Sequence, residues 1–101
     1  MKDEAYMVLF SSSTFSRVLV RYIIGKDYGF SALDTVENCG GNPEDLHNAV
    51  ENLEHLGFIK DSGEEYKGRK ILQWDMTNPK AKQVYDIWRS FIPELPDGED
   101  E

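Results

Sequence analysis

The sequence predicts a mainly α-helical domain that carries one small β-hairpin. Three observations lead there. Apolar residues recur at the 3.6-residue helical period in three separate stretches; those stretches begin and end at residues that cap or break helices; and two short strand-like runs lie between the last two of them. At 101 residues and 40% hydrophobic, the chain is long enough for one domain whose core needs neither disulfide nor metal.

Taken in order, the segment from Glu4 to Phe10 reads two ways. Tyr6, Val8 and Phe10 alternate as in a strand, while Ala5, Met7 and Leu9 suit a helix, toward which the reading leans. The hydroxyl cluster Ser11 to Thr14 then precedes Phe15, Val18, Leu19, Tyr22 and Ile23, an amphipathic stripe that Ser13 or Thr14 would cap. Gly25 ends the stripe and Lys26 to Gly29 reads as a turn. Ser31, with Asp34 three residues on, resembles the capping signal of a short second helix whose apolar residues are Ala32, Leu33 and Val36.

Cys39, Gly40, Gly41 and Asn42 form a break, because each glycine inside a helix costs about 1 kcal/mol. Asn42 is a good N-cap, Pro43 suits the first helical position, and Glu44 and Asp45 place negative charge where the helix dipole favours it. A helix from Pro43 to about Leu56 would bury Leu46, Ala49, Val50, Leu53 and Leu56, and Gly57 would stop it. Phe58 to Lys60 and Lys70 to Asp75 are strand-like, and the polar stretch Asp61 to Gly68 between them reads as a hairpin with a long tip. Thr77 or Asn78 then caps a last helix, with Pro79 in its first turn and Ala81, Val84, Tyr85, Trp88 and Ile92 as its stripe. Residues 1–92 are expected to form the domain. Residues 93–101 carry three Pro or Gly and five acidic residues, too little apolar surface to offset ordering entropy, and are expected to be a disordered tail.

Composition narrows the function. No apolar run approaches the ~20 residues needed to span a bilayer, and no apolar targeting segment follows Lys2, Asp3 and Glu4, so a cytoplasmic protein without membrane contact is expected. The single cysteine, Cys39, offers neither an internal disulfide nor a thiolate pair. His47 and His55 stand eight apart, outside the spacing of a helical metal pair, so no metal or other cofactor is expected. Without a Ser-His-acid or Cys-His constellation or a phosphate-cradling glycine motif, the chain is not expected to be an enzyme.

The predicted order of helix, helix, Gly-containing turn, helix, hairpin, helix resembles the winged helix-turn-helix. Three stretches carry the resemblance, which spans roughly residues 10 to 92. FSSSTFSRVLVRYI, Phe10 to Ile23, is similar to the approach to the first helix in the arsenical-resistance and multiple-antibiotic-resistance repressor superfamily. VENLEHLGFI, Val50 to Ile59, resembles the exit of that superfamily's recognition helix into the wing. WDMTNPKAKQV, Trp74 to Val84, resembles its Thr-capped turn from the second wing strand into the last helix.

That resemblance implies a dimeric, DNA-binding transcriptional regulator, with the helix from Pro43 in the major groove and the stretch Asp61 to Gly68 against the backbone. The nucleic-acid candidates are then Asn48 and Asn52, suited to adenine, with Lys60, Lys67, Arg69 and Lys70 on phosphates. The two asparagines equally suit a solvated polar helix face. Terminal helices commonly form the dimer in this superfamily, which makes Tyr85, Trp88, Phe91 and Ile92 the interface candidates, although aromatics at helical spacing also build cores.

Charge departs from that pattern. The formal charge is −8, and −3 without the five carboxylates of residues 93–101. Between Lys26 and Lys60 there is no Lys or Arg, while Asp27, Asp34, Glu37, Glu44, Asp45, Glu51 and Glu54 contribute seven negative charges that would repel a duplex. Basic residues concentrate around the hairpin and at Arg17 and Arg21. The alternative is therefore an acidic module that binds a basic protein partner rather than DNA.

Overall fold

A computed structural model describes residues 8–10 and 12–92. Most of the ambiguous opening segment and the acidic stretch 93–101 lie outside the described residues. The chain forms a small, mostly helical domain with one two-stranded antiparallel hairpin. Residues 8–10 are helical; then follow α1 (Thr14–Ile24), α2 (Ala32–Asn38), α3 (Pro43–His55), β1 (Ile59–Tyr66), β2 (Arg69–Trp74) and α4 (Pro79–Ser90).

Each of α1 to α4 starts where a short polar side chain satisfies amide groups that the helix cannot. Ser13 Oγ accepts from Ser16 N at 3.1 Å, and Ser31 Oγ from Asp34 N at 3.0 Å. Asn42 Oδ1 accepts from the amides of Glu44 and Asp45, and Asn78 Oδ1 from those of Lys80 and Ala81. The Asn78 amide nitrogen also donates to Gly57 O at 2.8 Å, fastening the start of α4 to the end of α3.

The core lies between α1 and α3 and is closed by the hairpin and α4. Val18, Leu19, Tyr22 and Ile23 meet Leu46, Ala49, Val50 and Leu53, with Ile59, Leu72, Trp74, Ala81 and Trp88 completing the cluster. Two expectations are corrected here. Leu56 is 52% exposed, because it is the C-cap of α3 and the chain turns away there toward Gly57. The hairpin has no long tip: Glu65 pairs with Lys70 and Tyr66 with Arg69, so only Lys67 and Gly68 make the turn. Both have positive φ, 55° and 79°, the backbone of a type I′ turn whose twist matches paired strands. The polar stretch between Asp61 and Glu65 is a register irregularity inside the ladder.

The turn after α1 is pinned to β2 by an isolated bridge: Phe30 N donates to Leu72 O and Leu72 N to Phe30 O, each at 2.9 Å. Phe30 O also accepts from the Tyr22 hydroxyl at 3.2 Å, and that hydroxyl accepts from Thr35 Oγ1 at 3.1 Å. Burial raises the Tyr22 pKa to about 12, against a partial offset from Thr35. Tyr22→Phe leaves the buried Thr35 donor without its acceptor and is expected to cost about 1–3 kcal/mol in urea unfolding. Because the folded-state pKa is raised, the phenol's contribution is full below about pH 10 and is lost as pH climbs toward 12. The stability gap between wild type and variant should therefore narrow above about pH 10; a gap constant to pH 11 would show that the phenol is not kept neutral by burial.

Candidate functional site

The exposed face of α3 and the hairpin beside it hold every nucleic-acid candidate. Burial of Leu46, Ala49, Val50 and Leu53 turns Glu44, Asp45, Asn48, Glu51, Asn52 and His55 outward. Asn48 and Asn52 are one helical turn apart on that face, and neither side chain makes a hydrogen bond among the described residues.

The four cations are not equivalent. Lys70 Nζ lies 3.3 Å from Glu54 Oε2 and ties β2 to α3. Lys60 Nζ lies 3.3 Å from Asp75 Oδ1. Asp75 also accepts from the hydroxyl and backbone amide of Thr77, and these bonds, with Lys60, hold its carboxyl below the usual range. Lys67 sits at the turn with its ammonium 5.3 Å from the Tyr66 ring centroid. Arg69 is exposed and has no ion pair among the described residues.

The basic residues of α1 face inward. Arg17 donates to the carbonyls of Cys39 at 2.9 Å and Gly40 at 3.3 Å, closing the turn between α2 and α3. Arg21 pairs with Asp34 at 3.0 Å and lies 4.0 Å from the centre of the Phe30 ring. Glu37, Glu44, Asp45 and Glu51 remain exposed without an ion pair among the described residues, so the surface around α3 keeps its negative charge.

The interface candidates are divided. Trp88 is 6% exposed and belongs to the core, and Phe91 meets Phe10 edge to face at a centroid distance of 5.9 Å. Tyr85 and Ile92 are half-buried against the same cluster. Apolar side chains that reach solvent near these elements include Ile24 and Ile87, which the helical stripe could not single out, and Val8 and Leu9 beside Phe10.

A groove separates the hairpin from the helices beneath it. One part, about 380 Å³, is lined by Ala32, Leu33 and Leu72 together with His47 and Glu54 of α3 and Arg69 and Lys70 of β2. The other part, about 350 Å³, is lined by Phe30, Ile71, Glu37 and Lys67 among others, and Leu33 and Arg69 belong to both. Among the described residues no group of three or more His, Cys, Asp or Glu could hold a metal ion, and no helix is long and apolar enough to cross a membrane.

No family model matches the chain, and no curated protein or solved structure matches it.

Proposed function

We propose that the chain is a non-catalytic winged-helix domain, with α2 and α3 as its helix-turn-helix and the hairpin as its wing, and that the acidic face of α3 receives a basic protein partner. One observation carries this reading. Where a DNA-binding domain would present cations to phosphates, Lys70 and Lys60 are neutralised by Glu54 and Asp75, while Glu44, Asp45 and Glu51 stay uncompensated. Phosphates brought to that face would meet net negative charge and keep their condensed counterions, so counterion release would contribute little to binding.

The notable competing reading is a DNA-binding regulator, favoured by Lys67 and Arg69 at the hairpin turn and by exposed Asn48 and Asn52 on the neighbouring helix face. A two-fold dimer through α4, with Tyr85 and Ile92 at its edge and exposed Ile87 beside them, is compatible with both.

Titration at low and moderate salt separates the two, with polylysine and mixed-sequence duplex DNA as probes and the oligomeric mass recorded alongside. Polylysine should bind, weaken with salt, and bind less to a Glu44→Gln, Glu51→Gln variant, with DNA unbound. DNA binding that disappears when Lys67, Arg69 and Lys70 are neutralised would overturn the proposal in favour of the regulator.

A further inference from the structure

We infer that an extended peptide segment of a partner adds to the free edge of β2 beside Lys70 as a third, antiparallel strand. In it an aliphatic residue sits opposite Lys70, and an acidic residue follows opposite Arg69. The seat is the groove between the hairpin and α2, and the inference is independent of what the acidic face of α3 receives.

Along an antiparallel pair, residues that bond to the neighbouring strand alternate with residues whose N–H and C=O point away from it. Tyr66 and Arg69 flank the two-residue turn and are the bonded pair nearest to it. The backbone groups of Lys70, and by the same alternation those of Leu72, therefore point away from β1. Those of Leu72 are taken, because it exchanges both bonds with Phe30. The chain then leaves the edge, since Ser31 caps α2. Lys70 N and O, next along that edge, have no hydrogen-bond partner among the described residues. An extended backbone that continues where Phe30 stops would supply one, which is strand addition to a sheet edge.

Side chains of an added strand alternate between its two faces, and each face here has a cavity. Lys70 and Leu72 line the one of about 380 Å³, Ile71 lines the one of about 350 Å³, and Arg69 borders both. A residue opposite Lys70 shares its face. There Ala32, Leu33 and Leu72 offer an apolar lining, and the charge of Lys70 is matched by Glu54, so an aliphatic side chain is selected. The next residue turns to the other face, toward Arg69 and Lys67, neither of which has an ion pair among the described residues. Against these two cations stands one uncompensated carboxylate, Glu37, because Asp34 is held by Arg21. A carboxylate placed there meets the forked donors of Arg69, whereas a basic side chain would meet two like charges. A nucleic-acid backbone would answer the cations but has no N–H for Lys70 O and nothing aliphatic for the apolar lining.

The test is fluorescence anisotropy at low salt with the full chain and a short, fluorescein-labelled, threonine-rich peptide carrying leucine followed by glutamate at its centre. The peptide should bind saturably. N-methylation of its leucine removes the donor to Lys70 O and should weaken binding roughly tenfold or more, as should replacing that leucine by serine. Replacing the glutamate by glutamine should weaken binding to the wild-type chain, while an Arg69→Gln chain, its fold checked by circular dichroism, should bind both peptides equally. Hydrogen exchange of the Lys70 amide, followed by NMR, should slow when the peptide is bound. A peptide that does not bind, that tolerates N-methylation, or that leaves Lys70 exchange unchanged overturns strand addition, and a glutamine peptide as tight as the parent overturns the acidic residue. Mixed-sequence duplex DNA that binds through Arg69 where the peptide does not would assign the edge to phosphates instead. None of these measurements probes the carboxylates of α3, so the acidic-face reading stands or falls separately.

Discussion

Gly29→Ala is expected to destabilise the domain by about 2–5 kcal/mol, the sum of a left-handed backbone cost and a disrupted bridge. Gly29 has φ +77°, and a Cβ there would lie 2.3 Å from the backbone oxygen of Leu72. That oxygen cannot retreat without breaking its bond from Phe30 N, the contact that seats the turn after α1 on β2. Gly40→Ala is the natural control, since Gly40 also has positive φ, +70°, but a Cβ there would meet nothing within 4 Å. It should cost only the backbone preference, about 1–2 kcal/mol. Denaturant unfolding of both variants decides the matter; equal losses would mean that the Leu72 carbonyl does not constrain the turn.

The second large effect is that of Trp88→Ala, expected to cost about 3–5 kcal/mol as a buried aromatic lost from a packed core. Trp88 is 6% exposed and shares its cluster with Ile23, Ala81 and Trp74. The loss should not depend on protein concentration, and the oligomeric mass should not change. A variant as stable as wild type in dilute solution, but with altered mass, would instead place the indole at a subunit contact.

What could be read from the sequence divides by distance along the chain. All four helix starts were legible to within a residue, with Ser13 chosen over Thr14 and Asn78 over Thr77 only by the structure, because Ser13, Ser31, Asn42 and Asn78 bond amides only two or three residues ahead. The exposed acidic face of α3 followed from the leucine stripe opposite it. The hairpin turn was not legible, since Lys67 is an unfavoured residue at positive φ and the polar run before it hides the pairing of Glu65 and Tyr66. Leu56 kept the helical period but falls on the cap, where period no longer implies burial. Least legible were the partners of the cations. Arg17 looked like surface charge until Gly40 was brought beside it, and Lys60 and Lys70 looked available until Asp75 and Glu54 arrived from other elements. The groove was hidden for the same reason: Leu33 and Leu72 are far apart in sequence and meet only through the bridge at Phe30.

That bridge also bears on how the chain assembles. Most strand pairing in this domain is local, made by a hairpin that can form by itself, and helices nucleate from their own caps. Phe30 and Leu72 are the exception, joining segments separated by α2 and α3, so their pairing closes a long loop and carries its entropic cost. The hairpin and the two N-terminal helices therefore cannot reach their final arrangement independently. The bridge thus adds a backbone tie between the hairpin and the turn after α1 to the side-chain packing that already joins them.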